Sequence, residues 1–142
     1  MKKEKVSYKF DAETGVSFCY IEEFGQTFVG AACCHDDDRD MMSERTGLTI
    51  AEARAHIQML KAKKKYEIQP KIDVLRHLLT NIQSSKNHNP KAYESCMLRS
   101  QLAHWEGQLA EINADIADEE KYLKEYIDQK DKLYRKLRAR NQ

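Results

Sequence analysis

Residues 98–137 read LRSQLAHWEGQLAEINADIADEEKYLKEYIDQKDKLYRKL, and their period decides the fold. Leu98, Leu102, Trp105, Leu109, Ile112, Ile116, Glu119, Leu123, Tyr126, Lys130, Leu133 and Leu137 follow in unbroken steps of four and three. That spacing is a coiled-coil seam, with Glu119 and Lys130 as polar interruptions. The seam extends upstream to Asn89-Pro90, where Asn caps and Pro fits the first helical position without losing a needed bond. A helix over 90–140 follows, preceded by a hairpin loop at 84–89.

A second apolar stripe precedes that loop. Ile50, Ile57, Leu60, Ile68, Ile72, Leu75, Leu79 and Ile82 place a helix over 49–83. Thr49 and Glu52 match a capping box and set its expected start. Pro70 removes a backbone donor inside the pattern and should kink or split the helix. Lys61–Lys65 reads as a solvated face. At 1.5 Å per residue the second helix reaches roughly 75 Å and the first roughly 50 Å. A short loop makes them antiparallel neighbours, so the longer one overruns. Its surplus apolar residues, Tyr126, Leu133 and Leu137, need cover from the N-terminal strands, a second copy, or both.

Residues 35–48 form an acidic connector, with room for a short helix from about Asp38 to Arg45 that Gly47 would end. Residues 1–34 alternate as strands do. Val6, Tyr8 and Phe10 make the first. Val16, Phe18 and Tyr20 alternate with Ser17, Cys19 and Ile21 in the second. Thr27–Cys33 makes the third, with Gly30 a bulge or a close contact. Asp11–Gly15 and Phe24-Gly25-Gln26 are the turns. A sheet this small with one aromatic face needs a helical cover. The expected fold is a single α+β domain over 1–142: a three-stranded antiparallel meander, then a long antiparallel two-helix coiled-coil hairpin.

The 142 residues are 33% charged and 41% hydrophobic with a formal net charge of +1, which suits long helices and gives no electrostatic sign of DNA or membrane. No targeting segment is read at the N-terminus, and Phe28–Cys34 is too short to span a bilayer. A cytoplasmic protein with reduced thiols at Cys19, Cys33, Cys34 and Cys96 is expected.

Candidate chemistry is sparse. Cys33, Cys34 and His35 are ligand types without the paired spacing of a zinc site, so no metal is expected. No phosphate loop, nucleophile elbow or paired catalytic carboxylates are present, so neither a catalytic residue nor a cofactor is expected. His88, Asn89, Lys91, Tyr93 and Arg99, around the hairpin loop, gather donors, an aromatic ring and positive charge, the parts that hold a phosphorylated base. Arg45 and Arg54, near the sheet, join them as candidate ligand-binding residues. Ordinary capping and loop solubility are the plainer reading of the loop residues, and pairing with the acidic connector is the plainer reading of the arginines.

Thr27-Phe28-Val29-Gly30 through Cys34-His35, then Thr46-Gly47 and Ile50-Ala51-Glu52-Ala53-Arg54-Ala55, resemble the bacteriophage Thoeris anti-defence proteins, in the class with a small sheet followed by a helical hairpin. Asn89-Pro90-Lys91-Ala92-Tyr93 adds to the resemblance. It implies a sponge in the host cytosol that holds a cyclic ADP-ribose isomer uncleaved, or a cyclic oligonucleotide, in a homo-oligomer (dimer or higher) with pockets between subunits. The alternative is a coiled-coil inhibitor that docks on a host defence enzyme.

Overall fold

The computed structural model describes residues 5–33, 43–84 and 92–141. Among them, β1 (Lys5–Asp11), β2 (Val16–Glu23) and β3 (Gln26–Cys33) form an antiparallel sheet in the order β1-β2-β3. The helices are α1 (Glu44–Lys63), a π-helical turn (Lys64–Ile68), α2 (Gln69–Ser84) and α3 (Ala92–Asn141). The chain is therefore α+β, a meander followed by a helical hairpin. Residues 34–42 and the expected hairpin loop at 85–91 lie outside the described residues. No helix among the described residues is long and apolar enough to cross a membrane. The chain gathers into two compact units, one of residues 1–59 with 116–142 and one of residues 60–115.

In the first unit the register pairs Ser17 with Ala32, Cys19 with Gly30 and Ile21 with Phe28. Ser17, Cys19 and Ile21 are nearly or fully buried, while Phe18 and Tyr20 on the opposite face stay half-exposed with their rings 6.3 Å apart. The covered face is thus the small-residue face, not the aromatic one that needed a cover on sequence grounds. Gly30 shows why. A Cβ there would collide with the Ala51 carbonyl oxygen and lie 2.5 Å from the Ala55 backbone nitrogen. Ala51 and Ala55 are themselves fully buried. Small residues on both sides let helix backbone touch strand backbone, and aromatic rings would hold them apart. Pairing runs through Gly30 without interruption, so it is a close contact and not a bulge.

The turns follow their residues. Gly15, at φ +72°, donates its N–H to the Asp11 carbonyl at 2.8 Å. The Asp11 carboxylate accepts the Glu13 N–H at 3.0 Å. A hydrogen bond from the Thr14 side chain, then that amide, hold its pKa below the ordinary 3.8. Phe24 and Gly25 form a two-residue turn at φ 56° and 72°, closed by Glu23 opposite Gln26. Phe24 is bulky for a left-handed position, at a cost of about 1–2 kcal/mol.

Helix α1 begins at Glu44, not near Thr49. The Ser43 hydroxyl accepts the Thr46 N–H at 3.3 Å, and the Ser43 carbonyl accepts the Gly47 N–H at 3.1 Å, so Ser43 is the N-cap. The Thr49 hydroxyl instead donates to the Arg45 carbonyl at 2.7 Å, as a mid-helix threonine does. Gly47 does not end a helix. A Cβ at Gly47 would collide with the Ser17 hydroxyl, so glycine is there for closeness and not for flexibility.

The second unit is a helical pair. Leu60, Ile68, Ile72, Leu75 and Leu79 are buried, as is Ile112 of α3. Each such side chain contributes about 1.5–3 kcal/mol. The Lys71 ammonium lies 4.0 Å from the centre of the Trp105 ring, and Arg76 is 3.6 Å from Glu106. That ion pair is about half exposed, so it adds little. Pro70 neither ends nor splits the helical run. Gln69 donates its N–H to the Lys64 carbonyl, five residues back, and this wider turn just before the proline absorbs the missing donor.

Candidate functional site

The first unit contains a partly enclosed cleft of about 190 Å³. Its walls come from the small-residue face of β2 and β3, the first turns of α1, and the last third of α3. Ser17 belongs to it because β2 alternates and turns its odd-numbered residues toward the helices. The Ser17 side chain is 1% exposed, and its hydroxyl has no hydrogen-bond partner among the described residues. That hydroxyl oxygen is itself sealed against Gly47 of α1, so it belongs to the packing of the wall and is not an open donor. Thr46, 8% exposed, and Ser43 add hydroxyls to the same walls.

Charge enters from two helices. Arg54 donates from Nη1 to the Ala31 carbonyl at 2.7 Å. A guanidinium carries five N–H donors. This bond uses one of them, on a side chain that is itself exposed. From α3 come Lys130, Asp131 and Tyr134. Lys130 is half-buried, its ammonium 5.5 Å from the centre of the Tyr126 ring. The charged lining is two cations and one carboxylate, beside hydroxyl donors. That set is suited to an anion that also carries hydroxyl groups.

A second, more open hollow in this unit is different. It is lined by Glu52, Asp118 and Glu119, with His56 and Tyr122. Glu119 Oε1 is 2.6 Å from His56 Nδ1, with both side chains about one-third exposed, at 33% and 32%. This contact explains the polar interruption of the seam at Glu119. Three carboxylates would repel a phosphate, so the cleft around Ser17 is the better anion site. Among the described residues no group of three His, Cys, Asp or Glu side chains could hold a metal ion.

The residues expected from sequence divide accordingly. Arg54 lines the cleft. Arg45 is exposed and lines a separate shallow hollow with Tyr8 and Leu48. Arg99 is exposed on α3 within the second unit. His88, Asn89 and Lys91 lie outside the described residues, as does the side chain of Tyr93. Sequence reading missed Ser17, Thr46, Lys130 and Asp131. One signal was available: Lys130 interrupts an otherwise apolar seam, and a cation there needs a reason.

Comparison with family models, with curated proteins and with solved structures finds no match to this chain.

Proposed function

We propose that the protein is a sponge. It binds a small cyclic nucleotide of the cyclic ADP-ribose class, or a cyclic oligonucleotide, and holds it uncleaved in the host cytosol, so that a phage escapes a defence effector. One observation carries this reading: Arg54, bonded to the Ala31 carbonyl, lines one cleft with Lys130 and the hydroxyl side chains of Ser43 and Thr46. Charge-assisted hydrogen bonds give affinity without chemistry on the ligand.

The volume limits the model. Pockets that engulf a drug-sized ligand span roughly 300–1,000 Å³. A cleft of about 190 Å³ takes part of a nucleotide and leaves the rest for another wall. A second copy closing over α3 would provide it. Tyr122 and Leu133, 58% and 45% exposed, support such a homo-oligomer.

The test is a melting-temperature shift with cyclic ADP-ribose isomers, followed by denaturation and mass spectrometry of the released nucleotide. The expected result is a shift of several degrees, unmodified ligand, and at least about tenfold weaker binding in Arg54→Ala, or roughly 1.4 kcal/mol. Recovery of a hydrolysed product would end the sponge reading.

A second reading, a protein that docks on a host defence enzyme, is favoured by Val74 and Leu78. They are 58% and 42% exposed, one helical turn apart on α2. It expects a nucleotide-free complex with the purified enzyme, indifferent to Arg54→Ala and broken by glutamate at Val74 and Leu78.

A further inference from the structure

We infer that the outer edge of β1 is an interface for a second copy of this chain: two β1 strands pair antiparallel about a two-fold axis at Tyr8 and join two sheets into one. The inference stands apart from the sponge reading and from the stripe on α3.

The order β1-β2-β3 leaves two edge strands, and the fold treats them differently. On β3, Arg54 occupies the Ala31 carbonyl and the backbone of α1 presses on Gly30. On β1, every residue from Lys5 to Lys9 is exposed. The register sets Val6 opposite Ile21, Tyr8 opposite Cys19 and Phe10 opposite Ser17, so all three lie on the side of the sheet that faces the helices. Yet Val6 and Tyr8 are 38% and 51% exposed, where Ile21 and Cys19 are 1% and 0%. The helical cover thins beyond β2 and leaves the apolar row of β1 outside it. An exposed edge with such a row is a template for a further strand.

Charge identifies the occupant. In an antiparallel pair, opposite residues share a face, so a strand paired with its own copy is symmetric about one residue. About Tyr8, all seven residues of β1 find a match. Lys5 meets Asp11 of the second copy, and symmetry repeats that pair at the other end. Val6 meets Phe10, Ser7 meets Lys9, and Tyr8 meets Tyr8. Opposite charges face each other and apolar residues face apolar ones. One step toward either end spoils this. About Ser7, Lys5 meets Lys9 of the second copy; about Lys9, two lysines face each other. The charges therefore select one register instead of forbidding pairing. A single strand pair falls short of the roughly 1,200 Å² of a stable interface, so this contact alone holds two copies together at roughly hundreds of micromolar.

The test is sedimentation equilibrium of Leu133→Glu, in which the α3 stripe takes no part, from about 50 µM to about 1 mM. A reversible dimer with a Kd of roughly hundreds of micromolar is expected. Lys5→Glu and Asp11→Lys, each added alone, should weaken it at least about fivefold with unchanged circular dichroism, because like charges then meet at both ends. Mixed in equal amounts, the two variants should associate within about twofold of the parent, since each supplies the charge the other has lost. The register is read by disulfide trapping in a chain carrying Cys33→Ser, Cys34→Ser and Cys96→Ser. Tyr8→Cys should form a covalent dimer at least about fivefold faster than Val6→Cys, because position 8 meets itself while position 6 lies roughly 14 Å from its copy. Absence of a dimer at the highest concentration overturns the interface. So does a mixture of the charge variants that associates no better than either alone, or equal trapping at positions 6 and 8.

Discussion

Two glycines illustrate opposite uses of a missing side chain. At Gly30 the space for a methyl is filled by backbone atoms of α1, the Ala51 oxygen and the Ala55 nitrogen. Backbone cannot step aside as a rotamer can, so Gly30→Ala must push the helix off the sheet. A loss of at least about 2 kcal/mol in urea unfolding is expected. Gly107 sits within α3, and a Cβ there would meet nothing within 4 Å. Gly107→Ala should stabilise the helix by roughly 0.5–1 kcal/mol, measured in the same way. The sequence pointed to Gly30 as a bulge or a close contact and could not choose, because the deciding atoms lie some twenty residues downstream. Gly47 was harder still. Locally it looks like a helix breaker, and only the Ser17 hydroxyl beside it explains a glycine inside a helix.

Among the elements, the π-helical turn has the clearest physical purpose. Leu60 and Ile68 are both buried, eight positions apart. Eight residues of regular α-helix turn about 800°, roughly 80° past two full turns, and would put them on different faces. One residue of slack in the turn at Lys64–Ile68 reduces the advance to that of about seven residues, within roughly 20° of alignment. Deleting Lys65 together with Pro70→Ala should therefore give a straight helix with its stripe intact. That variant is expected within about 1 kcal/mol of the parent in urea unfolding, while deleting Val74 alone should cost several kcal/mol by turning Leu75 and Leu79 outward. Periodicity made the elements legible. The seam on α3 was read from end to end, and each of its positions except Leu133 is buried or half-buried. The start of α1 was misread because Thr49 and Glu52 satisfy a capping pattern locally, while Ser43 was already serving as the cap. The sheet's period was plain, but alternation alone does not say which face meets the helices.

At the scale of the whole molecule, Tyr122 and Leu133 are exposed eleven residues apart on α3, about three helical turns, so they share one stripe. If that stripe meets a second copy, light scattering after size exclusion at tens of micromolar should give a dimer or larger. Leu133→Glu should then give a monomer with unchanged helicity; a monomeric parent protein would remove the oligomer from the proposal. The candidate site was only partly legible for a related reason. Arg54 could be picked by charge and place in the chain, whereas Ser17 and Lys130 are more than a hundred residues apart and meet only through the fold. That separation bears on synthesis. The unit that holds the cleft needs residues 116–142 as well as 1–59, whereas the other unit is continuous over 60–115. On the ribosome the later-encoded helical pair can close first, and the strands must wait for the far end of α3 to emerge before their small-residue face is fully covered. A nascent chain halted before that point would have no complete cleft to offer.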